Sequence, residues 1–310
     1  MSAEEVMRAA AFASPGGPDV LQVMELPAPQ AGPGQVRVRV RAAGVQPFDA
    51  AVRAGWVPAG VTGELPRIPG NEFAGVVDQV GEGVTGVSEG AEVLGFSLLN
   101  SYAEYVVVAA SQVTSKPDGV PWEVAGALTA AVQTAELAVD GLAVGPDDTL
   151  LIHGAAGAVG TAAVQIAVSR GATVIGTARE ANHAYLRELG AIPVTYGAGL
   201  ADRVRALAPG GVVDAVLDGA GGEALDVSLE LVEHRPRILT LVEHAKADGL
   251  GIKVTRGERT AERLGRYAAQ YADGRLKFLI RRTYRLDQAA DAHREIETGH
   301  GRGKIALLVG

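Results

Sequence analysis

Between positions 148 and 179 the chain runs through a series of textures that few folds accommodate. Residues 149–153 are a short, largely apolar run, the pattern of a parallel strand buried on both faces. Residues 154–160 form a glycine-rich turn, 161–170 present the small apolar face of a helix, and 171–177 are a second buried run. Strand, tight turn, helix, strand is the opening unit of a dinucleotide-binding domain.

The turn explains that reading chemically. Gly157 and Gly160 lack side chains, so the backbone can approach a pyrophosphate and the helix can pack close to the sheet. The helix N-terminus offers unpaired N–H groups and a partial positive charge, which makes Ala156, Gly157, Ala158, Val159 and Gly160 the candidate phosphate-binding residues. The usual first glycine is Ala155 here, giving Ala-x-Gly-x-x-Gly, and an ordinary strand–helix turn is the alternative. The second strand ends Thr177-Ala178-Arg179-Glu180. A carboxylate there selects NAD and a cation accepts the 2′-phosphate of NADP. Arg179 presents a planar fork suited to phosphate, whereas Glu180 enters the next helix. NADP(H) is the expected cofactor, with Thr177 and Arg179 at its adenosine end.

At 310 residues the chain has room for two domains. Hydrophobic residues make up 47% and charged residues 21%, and the formal charge of −8 argues against a nucleic-acid surface. There is no cysteine, so disulfide and thiolate chemistry are excluded. No uncharged apolar run is long enough to cross a bilayer. The acidic start, Met1-Ser2-Ala3-Glu4-Glu5, lacks the plan of a signal peptide, and a cytoplasmic protein is expected.

Residues 7–110 read as β-rich, with close-set turn signals that predict a partly closed barrel. Residues 36–41 alternate strictly between valine and arginine, which predicts a strand with Arg37, Arg39 and Arg41 on a solvated face. The texture changes near 117–124. The predicted division is 1–121 for the β-rich domain, 122–258 for a doubly wound parallel sheet, and 259–310 for a return to the first domain. Within the middle segment, strands are expected at 194–196, 212–217 and 237–242, and helices at 200–208 and 224–232. Residues 243–253 read as a loop. Helices at 259–272 and 287–298 and strands at 276–282 and 304–309 complete the prediction.

Several motifs together resemble the medium-chain dehydrogenase/reductase superfamily, in its zinc-independent, quinone-oxidoreductase-like branch related to zeta-crystallin. They are Ala42-Ala43-Gly44-Val45-Gln46-Pro47-Phe48-Asp49, Pro66-Arg67-Ile68-Pro69-Gly70-Asn71-Glu72-Phe73-Ala74-Gly75, Tyr102-Ala103-Glu104-Tyr105 and Thr134-Ala135. The stretch 153–160, Gly190-Ala191 and Gly299-His300-Gly301-Arg302-Gly303-Lys304 continue the match. The resemblance implies an α/β fold, a Rossmann doubly wound sheet plus a GroES-like partly closed barrel, with a cleft between domains and a homodimeric assembly.

Compared with zinc alcohol dehydrogenases, the catalytic cysteine and histidine positions fall at Gln46 and Asn71, and neither amide suits zinc. The six histidines (His153, His183, His234, His244, His293 and His300) show no ligand spacing and read as surface or turn residues, with His153 at the strand end. No metal is expected. Without a Lewis acid, an activated C=C or a quinone is the acceptor to expect, since its developing oxyanion needs only hydrogen-bond donors.

For the catalytic positions the resemblance implies Gln46, Asp49, Thr134 and Tyr102. Gln46 stands where the family usually has Asn. Asp49 is alternatively a helix cap, Thr134 a hydroxyl bonded to its own helix, and Tyr102 a core aromatic. For the cofactor it implies Gln46 and Thr134 near the nicotinamide, Arg179 and Tyr196 at the 2′-phosphate, Leu241 and Val242 beside the nicotinamide, and Lys304. Tyr196 as sheet packing and Lys304 as a strand-edge lysine are the alternatives. The function implied is an NADPH-dependent reductase of quinones or α,β-unsaturated carbonyls; a non-catalytic NADPH-binding protein and an enoyl-thioester reductase are the rivals.

Overall fold

The computed structural model describes residues 5–299 and 301–310; residues 1–4 and His300, the last of the six histidines, lie outside them. Alternating apolar residues early in the chain become β1 (Val6–Ala11) and β2 (Gln22–Pro27), an antiparallel pair, and the eleven-residue β3 (Gln35–Val45). After β3 comes the short helix α1 (Pro47–Arg53). β3 pairs antiparallel with β4 (Glu72–Val80), and β4 with β5 (Glu92–Phe96). β6 (Tyr105–Ala109) lies along the first half of β3, and β7 (Val113–Ser115) pairs with β5. Register shifts beside Arg37 and Val40 mark irregularities that bend β3.

The arginines of β3 do not share one solvated face. Arg39 is exposed, but Arg37 is buried, with Nε and Nη2 on Asp78 at 3.1 and 2.9 Å, Nη1 on Glu5 at 2.7 Å, and its guanidinium over the Tyr105 ring. Asp78, Glu5 and the Pro29 carbonyl close over Arg37, and the four hydrogen bonds they accept offset its desolvation.

The helices α2 (Trp122–Ala125) and α3 (Leu128–Gly141) lead into the second sheet. Its strands are β8 (Thr149–His153), β9 (Thr173–Thr177), β10 (Ile192–Val194), β11 (Ala215–Asp218), β12 (Ile238–Thr240) and β13 (Lys253–Val254). They are parallel throughout, in the order β10-β9-β8-β11-β12-β13. Helices α4 (Ala158–Ser169), α5 (His183–Glu188), α6 (Leu200–Leu207), α7 (Glu223–Leu231) and α8 (His244–Leu250) make the connections. This is the doubly wound arrangement, with its order reversing between β8 and β11.

Local readings differ from expectation in several places; the strand expected at 276–282, for one, begins only at Ile280. The strand expected at 194–196 is β10, which stops at Val194, because its partner β9 ends at Thr177 and leaves Thr195 and Tyr196 nothing to pair with. Residues 243–253 are no loop. They hold α8, closed by Gly251 at φ 66°, and β13.

The chain then forms α9 (Ala261–Ala272), β14 (Ile280–Arg285), α10 (Ala289–Glu297) and β15 (Lys304–Leu308); β15 joins β3 antiparallel and β14 runs parallel beside it. By contact, one compact unit extends to Ala130 and includes Arg259–Arg275 and Leu279–Gly310; the other is Ala131–Glu258 with Leu276–Phe278. Residues 122–130, past the texture change in the sequence, are tied to the first unit: Ala130 N–H donates to Glu72 Oε2 at 2.6 Å and Thr129 Oγ1 to the Gly95 carbonyl at 3.2 Å. Each unit has its own core, one around Phe12, Val38 and Phe73, the other around Leu151, Ile175 and Val216. Among the described residues, no helix is long and apolar enough to cross a membrane.

Candidate functional site

In the second unit, β8 runs into the glycine turn and α4 begins at Ala158, with Gly157 as its extended N-cap. Thr177 holds the turn: its hydroxyl accepts from Gly154 N–H and its carbonyl from Ala155 N–H, both at 3.2 Å. The two later glycines serve different needs. A Cβ on Gly160 would lie 2.7 and 2.8 Å from Ala155 Cα and carbonyl carbon, and closer still to the Gly154 oxygen. On Gly157 it would meet only the Gly154 oxygen, at 3.2 Å. Gly160 therefore permits the helix to pack on the turn, whereas Gly157 keeps its own surroundings open. The first-turn N–H groups of Ala158, Val159 and Gly160 lack an intrahelical acceptor and are available to an anion.

At the end of β9, exposed Arg179 donates from Nε to the Tyr196 hydroxyl at 3.1 Å. Tyr196 is about half exposed and outside the sheet, so it is not packing. Glu180 opens the short helical turn Glu180–Asn182, as expected. Leu241 and Val242 follow β12, with Leu241 N–H bonded to the Asp218 carbonyl at 2.8 Å and Val242 exposed. Thr134 lies half-buried within α3, and no hydrogen bond of its hydroxyl appears among the described residues.

The carboxyl ends of the central strands carry a buried polar row across His153, Asp218 and Thr240, neighbours in register. Asp218 accepts N–H from Ala220 (3.0 Å) and Gly221 (2.8 Å) and the Thr240 hydroxyl (2.9 Å). Thr240 Oγ1 in turn accepts Val242 and Glu243 N–H at 3.2 and 3.0 Å. Asp218 thus ties together the loops after β11 and β12. Reading by motif missed it, although a carboxylate closing an otherwise apolar strand was a visible signal.

The first unit gathers a second cluster at the end of β3. Gln46 Nε2 donates to Asn71 Oδ1, and Gln46 Oε1 accepts from Lys304 Nζ at 3.1 Å. Lys304 Nζ stands 2.6 Å from Glu72 Oε1, a charge contact between two buried side chains. Lys304 is therefore no exposed edge lysine. Arg259 Nη1 donates to the Asn71 carbonyl at 3.3 Å. Glu72 and Arg259 were not singled out from the sequence, because neither declares that it will face Lys304 or Asn71.

Asp49 Oδ2 accepts Gln46 N–H at 3.0 Å, capping α1, and the Tyr102 hydroxyl at 2.9 Å. Both side chains are wholly buried. Burial pushes Asp49 up to about 7, although the Tyr102 hydrogen bond opposes it, and pushes Tyr102 well above its ordinary value. The structure brings Gln46, Asp49, Tyr102 and Lys304 together, with the first and last directly joined.

Two histidines are not at the surface. His153 is buried at the end of β8 with neither ring nitrogen bonded, and burial lowers it to about 4. His293 is buried against Arg53 and the Tyr102 hydroxyl, each at 3.4 Å, and burial lowers it to about 3. Helix α10 turns it inward; its position in sequence does not reveal this. Among the described residues, no three His, Cys, Asp or Glu side chains converge as a metal site.

Residues 32–118 match the alcohol dehydrogenase GroES-like domain, and 189–307 match the zinc-binding dehydrogenase domain. The chain is 35% identical over 295 residues to a polyketide synthase of Streptomyces halstedii, covering 89% of this chain but only 5% of that protein. It is 33% identical over 324 residues to a quinone oxidoreductase of Pseudomonas aeruginosa, covering 96% of this chain and 98% of that one. The solved quinone oxidoreductase from Coxiella burnetii superposes with a TM-score of 0.89 at 30% identity, over 99% of this chain and all of the other.

Proposed function

The chain belongs to the quinone-oxidoreductase branch of the medium-chain dehydrogenase/reductase family, and from that membership we propose an NADPH-dependent, zinc-independent reductase of quinones or α,β-unsaturated carbonyls. The family implies a nicotinamide cofactor; the choice of NADP rests on Arg179 beside Tyr196. The observation that carries the acceptor chemistry is the Lys304 ammonium against Gln46 and Glu72. A zinc ion beside Gln46 would face an amide, which is a poor ligand, and an ammonium already paired with the nearby carboxylate. The donor set does not fit zinc.

A bound reduced nicotinamide supplies the hydride. The protein's part is orientation and charge. Lys304 donates to Gln46 Oε1, which draws electron density from the amide and strengthens Nε2 as a donor. One Nε2 hydrogen goes to Asn71, leaving the other for the oxygen that gains negative charge as hydride adds. Asp49 and Tyr102, buried beneath, position Gln46 through its backbone N–H. Thr134 and Lys304 remain proposed cofactor contacts, with the 156–160 turn, Thr177, Leu241 and Val242. A homodimer acting in the cytoplasm completes the reading, testable by sedimentation and fractionation.

The polyketide synthase similarity favours one second reading, reduction of an enoyl thioester, itself an activated C=C. Initial rates of NADPH oxidation against quinones, enones, alkenals and enoyl thioesters, with and without a chelator, test both. Turnover of an activated acceptor that ignores the chelator is expected. Inactivity towards all four classes, or loss of rate on chelation, overturns the proposal.

A further inference from the structure

The loop that carries Tyr196 has little of its own to hold it. Residues 195–199 are all exposed, and two are glycines in the left-handed region, Gly197 at φ 96° and Gly199 at φ 72°. Its two glycines each lose more conformational freedom on ordering than any other residue type would. Besides a long contact of Thr195 Oγ1 with His183 Nε2 at 3.4 Å, what holds it is Arg203, the fourth residue of α6. Its Nη1 donates to the Ala198 carbonyl at 2.7 Å, and its Nη2 to the carbonyls of Thr195 and Gly197 at 2.9 and 3.2 Å. Those carbonyls bracket Tyr196, whose hydroxyl meets Arg179 Nε. A Cβ on Gly199 would stand 3.3 Å from Nη1, so the missing side chain also makes room for the guanidinium.

We propose that Arg203 is a positioning residue for cofactor selectivity: it clamps the 195–198 carbonyls and so presents Tyr196, joined to Arg179, ready-formed to the 2′-phosphate of NADPH. This rests on the NADP reading above. The planar fork is what the geometry requires, since two separated nitrogens reach three acceptors spread over four residues, whereas the three N–H donors of a lysine ammonium all sit on one nitrogen. Without the clamp the loop would have to be ordered on binding, and that cost would come off the affinity. NADH has no group there and gains nothing from the clamp.

The test is the ratio of NADH to NADPH dissociation constants, measured by nucleotide fluorescence, with thermal midpoints as a check on folding. The proteins are wild type, Arg203→Met, Arg203→Lys, Tyr196→Phe, Arg203→Met with Tyr196→Phe, and Arg179→Ala. Arg203→Met should weaken NADPH about three- to tenfold and leave NADH within about twofold. Arg203→Lys should behave like Arg203→Met, and the double variant should be no worse than the poorer single one. A lysine variant that keeps the preference would mean charge alone acts, and equal losses for both nucleotides would mean a general structural role; either overturns the proposal. If Arg179→Ala lowers the ratio and Arg203→Met does not, this inference fails and the phosphate site stands. If Arg179→Ala leaves the ratio unchanged, the phosphate lies elsewhere and both fall.

Discussion

Gly160→Ala and Gly157→Ala form a matched pair whose outcomes the structure separates. At Gly160 the new methyl would sit under 3 Å from the Ala155 backbone. Backbone cannot step aside as a flexible side chain can, so the cost belongs at the upper end of overpacking, about 2–3 kcal/mol. A gain in helix propensity of about 0.5–1 kcal/mol offsets part of that. At Gly157 a single contact at 3.2 Å needs only a small shift, and stability should change by no more than about 1 kcal/mol. If Gly157 leaves room for a pyrophosphate, its methyl should still weaken NADPH at least about tenfold, by displacing an oxygen from the first-turn N–H groups. Both tryptophans, Trp56 and Trp122, lie in the first unit. Denaturation should therefore be followed by far-UV circular dichroism, which sees the second unit, with nucleotide titration in parallel. Equal stability losses in the two variants, or undiminished NADPH affinity in Gly157→Ala, would refute the division of labour.

Other expectations follow from the buried charges. Asp49, raised by burial to about 7 from 3.8, stabilises the fold fully below pH 3.8, and that contribution is gone once the pH has risen through about 7. His153 and His293 act in the opposite sense: lowered by burial to about 4 and about 3, they contribute fully above 6.5 and fade as the pH falls through those values. Asp49→Asn removes only the first effect, so its chemical stability should fall more steeply than wild type from pH 6.5 to 4; parallel curves would count against the buried acid. Lys304→Met strands the Glu72 carboxylate and should cost about 3–5 kcal/mol, with much of it recovered when Glu72→Gln is added; a double variant no better than the single in urea melts would contradict the pairing. Arg179→Ala should reduce the NADPH-over-NADH preference about ten- to a hundredfold, the loss of one charge-assisted contact. An unchanged ratio of dissociation constants would reassign the phosphate site.

Much of the second unit was legible because its signals are local. The apolar run ending at His153 and the glycines at 157 and 160 each act on near neighbours in the chain, and the strand and helix formed there. What went unread depends on partners far apart in sequence. Arg37 looked solvated because alternation says nothing about Asp78 across the sheet. His293 looked like a surface residue because its pocket is built by Arg53 and Tyr102. Residues 243–253 looked like a loop because α8 is a short helix whose apolar face shows only against the core beneath Ala247.

By itself the amino-acid order determined much of the alternation of strands and helices and the cysteine-free composition, since each is a property of residues or of their immediate spacing. Only tertiary structure decided that Lys304 would meet Gln46 and Glu72 from more than two hundred positions away, that Asp218 would bind two loops, and that Arg203 would hold the segment bearing Tyr196. The physical reason is that a buried charge or hydrogen bond takes its energy from its partner's placement, and placement between distant segments comes into being only when the sheets close.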